Sequence, residues 1–171
     1  MTADRQEKKK TTPDELAVLL MEAACQTAAP EREALARLAE FVEIDLDRLL
    51  AELMFLRVFA VELAVSVGLG HSSARGALME RFYGHWERAA QESETDLVEA
   101  LRARLEYYGE AVGEEAAGSL GDSLGRAFAA CFGAEAAQEL ALLGGRMFGA
   151  FYEEVAQALA AVEIEVHDQE E

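Results

Sequence analysis

Residues 120–149 read LGDSLGRAFAACFGAEAAQELALLGGRMFG, and every fourth position from Gly121 to Gly149 is glycine or alanine. The same spacing extends back to Gly109, so the series is Gly109, Gly113, Ala117, Gly121, Gly125, Ala129, Gly133, Ala137, Ala141, Gly145 and Gly149. Residues four apart lie on one face of an α-helix. The pattern therefore predicts helices with a ridge that lacks side-chain bulk, divided into at least two ridges by breaks near residues 113–118 and at Gly133.

These glycines need a compensating interaction. A glycine inside a helix is less favourable than alanine by about 0.5–1 kcal/mol. Two arrangements offset that cost: two helix backbones approach closely along the ridges, or a ligand lies against the bare backbone. We expect close helix packing, because small contact residues permit short distances between helix axes.

The remainder of the chain is also predicted to be helical. TPDE at residues 12–15 is a capping box with proline at the first helical position, and Pro30 opens a second helix. Asp45 caps a third helix, which GLG at residues 68–70 ends. Further helix starts are predicted at Ser72 or Ser73, Thr95, Ser119 and Glu135. Strand signals are nearly absent, since the chain has no Asn-Gly turn and no alternating β-branched run.

These signals predict an all-α, single-domain bundle of six to seven helices with short connections. No linker rich in Pro, Gly or Ser divides the chain, so residues 12–162 are assigned to one helical domain. Residues 1–11 are polar and residues 163–171 are acidic, and both are predicted to be solvated tails. No signal-peptide pattern follows the N-terminal charges, so we expect a cytoplasmic protein.

Composition and charge argue against two classes of protein, nucleic-acid binders and membrane-spanning proteins. Of 171 residues, 33 are Asp or Glu and 15 are Lys or Arg, so the formal net charge is −18. Such a charge disfavours nucleic-acid binding, because phosphates attract clustered Lys and Arg. The apolar run from Leu53 to Leu69 is interrupted by Arg57 and Glu62, which favours a buried core helix over a membrane span.

Arg57 is the most suggestive single residue. At helical spacing its neighbours are apolar, and a guanidinium in that position needs a carboxylate, a phosphate or a path to water. One interpretation is an ion pair with a glutamate on another helix. The other is that Arg57 binds an acidic or acyl ligand at the polar end of an aromatic-lined pocket, with His85 and Trp86 as further candidate residues.

No catalytic or metal-binding motif is present. The sequence has no G-x-S-x-G, no phosphate-binding glycine loop and no Glu-x-x-His, and the two cysteines are not at metal-ligand spacing. We therefore expect no enzyme activity, no metal and no cofactor.

Two functional hypotheses follow. The first is a non-catalytic interaction protein, homodimeric through the ridge of the last helix. Its predicted packing or interface residues are Ala137, Ala141, Gly145, Gly149, Phe148 and Tyr152. The second is the small-molecule binding module built around Arg57. The biological process and the identity of any partner or ligand lie beyond this sequence.

Overall fold

The computed structural model describes residues 8–113, 119–133 and 137–166. Within these ranges the chain forms an all-α, single-domain bundle of seven helices and one pair of short strands. In chain order the elements are β1 (Lys9–Thr11), α1 (Pro13–Cys25), α2 (Ala29–Phe41), α3 (Leu46–Leu69), α4 (Ser73–Ser93), α5 (Leu97–Gly113), α6 (Leu120–Ala130), α7 (Ala137–Ala161) and β2 (Val162–Ile164).

Four helices begin at the side-chain caps that the sequence predicts. The hydroxyl of Thr12 accepts from the backbone N–H of Glu15 at 3.2 Å, which completes the capping box of α1. Asp45, Ser72 and Ser119 each accept a hydrogen bond from the backbone N–H three residues later. Such caps satisfy N–H groups that have no partner inside the helix, so they mark where each helix starts.

Two other predicted starts differ by one residue. Helix α2 begins at Ala29, one residue before Pro30, and its N-cap Ala28 makes no side-chain hydrogen bond. Helix α5 begins at Leu97, so its start lies one residue beyond the position expected from a cap at Thr95. The predicted start of α7 at Glu135 lies outside the described residues.

Helix α3 forms the centre of the core. It packs against α1, α2, α4, α5 and α7, so its sides face other helices along most of its length. Its middle section is buried almost continuously, including Leu53, Leu56, Val58 and Val61. The apolar run of residues 53–69 is therefore a core helix, as predicted. Within the described ranges, every helix is too short or too polar to cross a membrane.

Helices α6 and α7 approach each other almost backbone to backbone. A Cβ atom built on Gly145 would lie 2.7 Å from the carbonyl oxygen of Gly121, and one built on Gly125 would lie 3.1 Å from the amide nitrogen of Gly145. A Cβ atom built on Gly144 would lie 2.7 Å from Cδ1 of Phe128. The prediction of close packing along glycine ridges is confirmed here, and the packing is between two helices of one chain.

Residues near the two chain ends form β1 and β2. The strands are parallel, with Lys9 opposite Val162 and Thr11 opposite Ile164. The backbone N–H of Glu165 donates to the carbonyl oxygen of Thr11 at 2.9 Å and extends the pairing. The sequence predicts solvated tails here and no strands. These residues are exposed or half-buried, but they pair because the start of α1 and the end of α7 lie close together. Strands of three residues are too short to show an alternating pattern.

Candidate functional site

A cleft of about 590 Å³ opens between α3, α4 and α5. We call it the Trp86 cleft. Its lining residues are Glu62, Tyr83, Trp86, Glu87, Val98, Leu101, Arg102, Leu105 and Glu106. The apolar stripe of α4 turns Trp86 toward the core, and the stripe of α5 supplies Leu101 and Leu105 on the opposite side.

The floor of the Trp86 cleft is apolar and buried. Trp86 and Leu101 are each 2% exposed. The indole ring of Trp86 makes an edge-to-face contact with Phe82, with ring centroids 6.3 Å apart. This contact and the burial hold the indole in one orientation.

The indole Nε1 of Trp86 lacks a hydrogen-bond partner within the described part of the chain, although the atom is buried. A buried donor without a partner is unfavourable by about 1–3 kcal/mol. Trp86, one of the lining residues, therefore carries a buried polar group whose hydrogen-bonding capacity the described residues do not use.

Glu62 and Tyr83 form the polar side of the cleft. The Tyr83 hydroxyl donates to Oε2 of Glu62 at 2.8 Å, and both side chains are half-buried. Burial raises the pKa of Tyr83 well above its ordinary value, and the negative charge of Glu62 raises it further. Tyr83 therefore stays protonated and acts as a fixed hydrogen-bond donor to the carboxylate.

Glu62 has no cationic side chain within 4.0 Å among residues 8–113, 119–133 and 137–166. The ion pairs of those residues are Lys10–Glu165, Arg32–Asp47, Arg57–Glu31, His85–Asp14 and Arg104–Glu52. The rest of the rim is Glu87, Arg102 and Glu106, all exposed. Three carboxylates and one guanidinium line the cleft, which gives it a net negative charge.

Arg57 lies outside the Trp86 cleft, and its guanidinium group binds other groups of the protein. Its Nη1 donates to the carbonyl oxygen of Gln26 at 2.6 Å and to the Thr27 hydroxyl at 3.3 Å. Its Nη2 donates to Oε1 of Glu31 at 2.8 Å, and the guanidinium carbon lies 5.8 Å from the centre of the Phe151 ring. Of the two sequence interpretations, the structure shows the ion pair with a glutamate on another helix. Arg57 is not among the residues that line the Trp86 cleft.

His85 also makes contacts within the protein. Its Nε2 lies 3.1 Å from Oδ1 of Asp14, and its Nδ1 lies 2.9 Å from Nη2 of Arg88. Because a guanidinium only donates, Nδ1 is the acceptor and the neutral ring carries its hydrogen on Nε2. His85 thus links α4 to α1. The structure does not bring Arg57, His85 and Trp86 together, and only Trp86 lines the cleft.

The predicted interface residues of α7 divide between the core and the outer surface. Phe148 is buried and packs against Phe59, with ring centroids 6.3 Å apart. Tyr152 stacks on Phe148 and is half-buried. Gly145 faces α6, as described above, and Ala141 faces the same helix through its carbonyl group, next to Gly125. Gly149 is exposed with open space around it, and the side chain of Ala137 lies outside the described residues.

A buried ion pair between α3 and α5 was not predicted from the sequence. Glu52 is 4% exposed, and Nε of Arg104 donates to its Oε2 at 2.8 Å and to its Oε1 at 3.1 Å. A usable signal was present, since each residue lies between two buried apolar residues at helical spacing. Arg104 lies between Leu101 and Tyr108, and Glu52 lies between Leu49 and Leu56.

The surroundings of this ion pair include Tyr108 and Cys131. The Tyr108 hydroxyl is buried without a hydrogen-bond partner in the described part of the chain. Burial raises the pKa of Tyr108 and of Cys131, so both groups stay protonated. Among the described residues, no group of three or more His, Cys, Asp or Glu side chains is arranged to hold a metal ion.

Comparison of the chain with protein-family models, with curated proteins and with solved structures finds no match.

Proposed function

We propose that this chain is a non-catalytic binding module that takes a small, largely apolar molecule in the Trp86 cleft. The observation that carries the proposal is a buried apolar floor beneath a polar rim. The volume of about 590 Å³ lies within the range of small-molecule sites, roughly 300–1,000 Å³. Such sites combine apolar walls with a few polar groups that orient the ligand, and here Glu62 and Tyr83 are those groups.

The chemistry of the cleft supports binding over catalysis. The hydrogen-bonded pair that it presents is Glu62 with Tyr83, and the raised pKa of Tyr83 keeps its proton on the phenol. A general acid or base works best with a pKa near the working pH. The proposal therefore gives the pair an orienting role.

Trp86 makes the proposal directly measurable, because the chain contains one tryptophan. The neutral dye N-phenyl-1-naphthylamine is a suitable probe, since it accepts energy from tryptophan at short range. We expect the dye to quench the emission of Trp86 and to gain fluorescence with saturation.

Two variants locate the bound dye. Val98→Phe adds a ring at the lining of the cleft and should weaken dye binding at least tenfold. Ala100→Phe adds the same ring at an exposed position of α5 outside the lining, and should leave binding unchanged. Absence of saturable quenching, or equal binding by both variants, would contradict the proposal.

The homodimer predicted from the sequence stays a prediction. Part of its proposed interface, at Gly145, is engaged by α6 of the same chain, whereas Gly149 has open space around it. Gel filtration with light scattering distinguishes a chain of 18.6 kDa from a species of twice that mass. If the outer face of α7 is the subunit contact, Gly149→Leu should convert the dimer to monomer without unfolding it.

A further inference from the structure

Glu62 differs from the two most buried ionised side chains of the bundle. Glu52 is paired with Arg104, and Arg57 is paired with Glu31. Glu62 is half-buried and receives a hydrogen bond from Tyr83, but the described residues place no cationic group within 4.0 Å of it. A carboxylate withdrawn from water gains most from a positively charged partner.

The other walls of the Trp86 cleft also suit a positive charge. The aromatic rings of Trp86 and Tyr83 line the same space as Glu62, and aromatic faces attract ammonium groups. Glu87 and Glu106 add two exposed carboxylates to the rim, against the one guanidinium of Arg102. The net charge of −18 adds a long-range attraction for cations.

We infer that the ligand of the Trp86 cleft is an organic ammonium ion with a bulky apolar body. Its N–H group donates to Glu62, and the body lies against Trp86, Leu101 and Leu105. Tyr83 orients the carboxylate through its hydrogen bond. This inference rests on the proposed binding function, and it assigns a ligand charge opposite to that expected for a site built on Arg57.

Three adamantane compounds that differ only in their polar group test the ligand class. They are 1-adamantylmethylamine, 1-adamantanemethanol and 1-adamantanecarboxylate, which carry a positive, a neutral and a negative group at neutral pH. None of them absorbs light in the tryptophan range, so the emission of Trp86 reports binding without interference. We expect the amine to bind about tenfold or more tightly than the alcohol at low salt, and the carboxylate to bind least.

Two glutamate variants assign the preference to one carboxylate. Glu62→Gln should bring the affinity for the amine down to that for the alcohol, while binding of the alcohol persists. Glu80→Gln makes the same change of net charge at an exposed position of α4 outside the cleft, and should keep the preference. Tyr83→Phe should reduce the preference partly, because the carboxylate remains but loses its orienting hydrogen bond.

The outcomes separate the ligand class from the binding function. Equal affinity for amine and alcohol would overturn the ammonium inference and leave the binding function standing. A preference that survives Glu62→Gln would overturn the assignment of the ammonium group to Glu62. Failure of all three compounds while the neutral dye still binds would also overturn the ammonium inference. Failure of the dye together with all three compounds would overturn both.

Discussion

Gly145 of α7 lies so close to Gly121 of α6 that a Cβ atom on Gly145 would be 2.7 Å from the Gly121 carbonyl oxygen. Real Cβ atoms essentially never approach a backbone oxygen so closely. The obstructing atom belongs to the backbone of another helix, so no side-chain rotation can relieve the contact. The helices must separate if Gly145 gains bulk.

We therefore expect Gly145→Ala to destabilise the protein, although alanine is the better helix former. The added methyl group forces α6 and α7 apart, and overpacking of this kind costs about 1–3 kcal/mol. Gly149→Ala is the matched control on the same helix, since open space surrounds Gly149. That variant should be neutral or more stable by about 0.5–1 kcal/mol. Urea denaturation measures both, and equal effects would contradict the backbone contact.

Loss of Arg57 should destabilise the junction between α1 and α2. Arg57→Met leaves the carbonyl group of Gln26 and the carboxylate of Glu31 without their donor. We expect a loss of about 2–4 kcal/mol, below the roughly 3–5 kcal/mol of a fully buried pair, because the side chain of Glu31 is 31% exposed. Arg37→Met, at an exposed position of α2, should change the free energy of unfolding little. Equal effects of the two substitutions would show that the ion pair is dispensable.

The pair between Glu52 and Arg104 should respond asymmetrically to single substitutions. Arg104→Met leaves the carboxylate of Glu52, whose side chain is 6% exposed, without its cationic partner. We expect this variant to destabilise the protein by about 3–5 kcal/mol. Glu52→Met should cost less, because the side chain of Arg104 is 33% exposed and can turn toward water. The double variant should be close to the original stability, since apolar replacements of buried ion pairs are often tolerated. Additive losses in the double-mutant cycle would refute this coupling.

Folding should lower the pKa of Glu15. The backbone N–H of Thr12 donates to Oε2 of Glu15 at 3.0 Å, and this bond lowers the pKa of the carboxyl below 4.5. The Thr12 hydroxyl contributes a second bond. Because the ionised form is favoured in the folded state, its contribution to stability is present above the unfolded pKa and is lost as pH falls through the folded pKa.

NMR titration of Glu15 in the folded chain and in urea measures this difference. Thr12→Ala should raise the folded-state pKa only partly, because the backbone N–H remains. Identical pKa values in the folded and unfolded states would show that the capping box does not form.

Local features of the sequence were sufficient to predict the helical class and several helix starts. Thr12, Asp45, Ser72 and Ser119 cap the helices that follow them, since a cap depends on residues three positions apart. The small residues of α6 and α7 likewise indicated close packing, because a face without side chains is visible from spacing alone. The spacing did not identify the partner, and α6 of the same chain fills that role at Gly145.

The candidate site was harder to predict, because it depends on residues far apart in the chain. Trp86 lines the Trp86 cleft, whereas Arg57 and His85 make other contacts, with Glu31 and Asp14. Glu62 was noted only as an interruption of an apolar run. Its role as the carboxylate of a cleft depends on the position of α5 beside α3 and α4.

The spacing of residues along the chain was thus sufficient to predict the helical class, the helix caps and the ridges, because all of these arise between residues a few positions apart. The arrangement of the helices in space decided which charges pair, where a cleft remains and which chain-end residues form strands. Those outcomes depend on distances between groups that are dozens of residues apart, and such distances are set when the whole core packs.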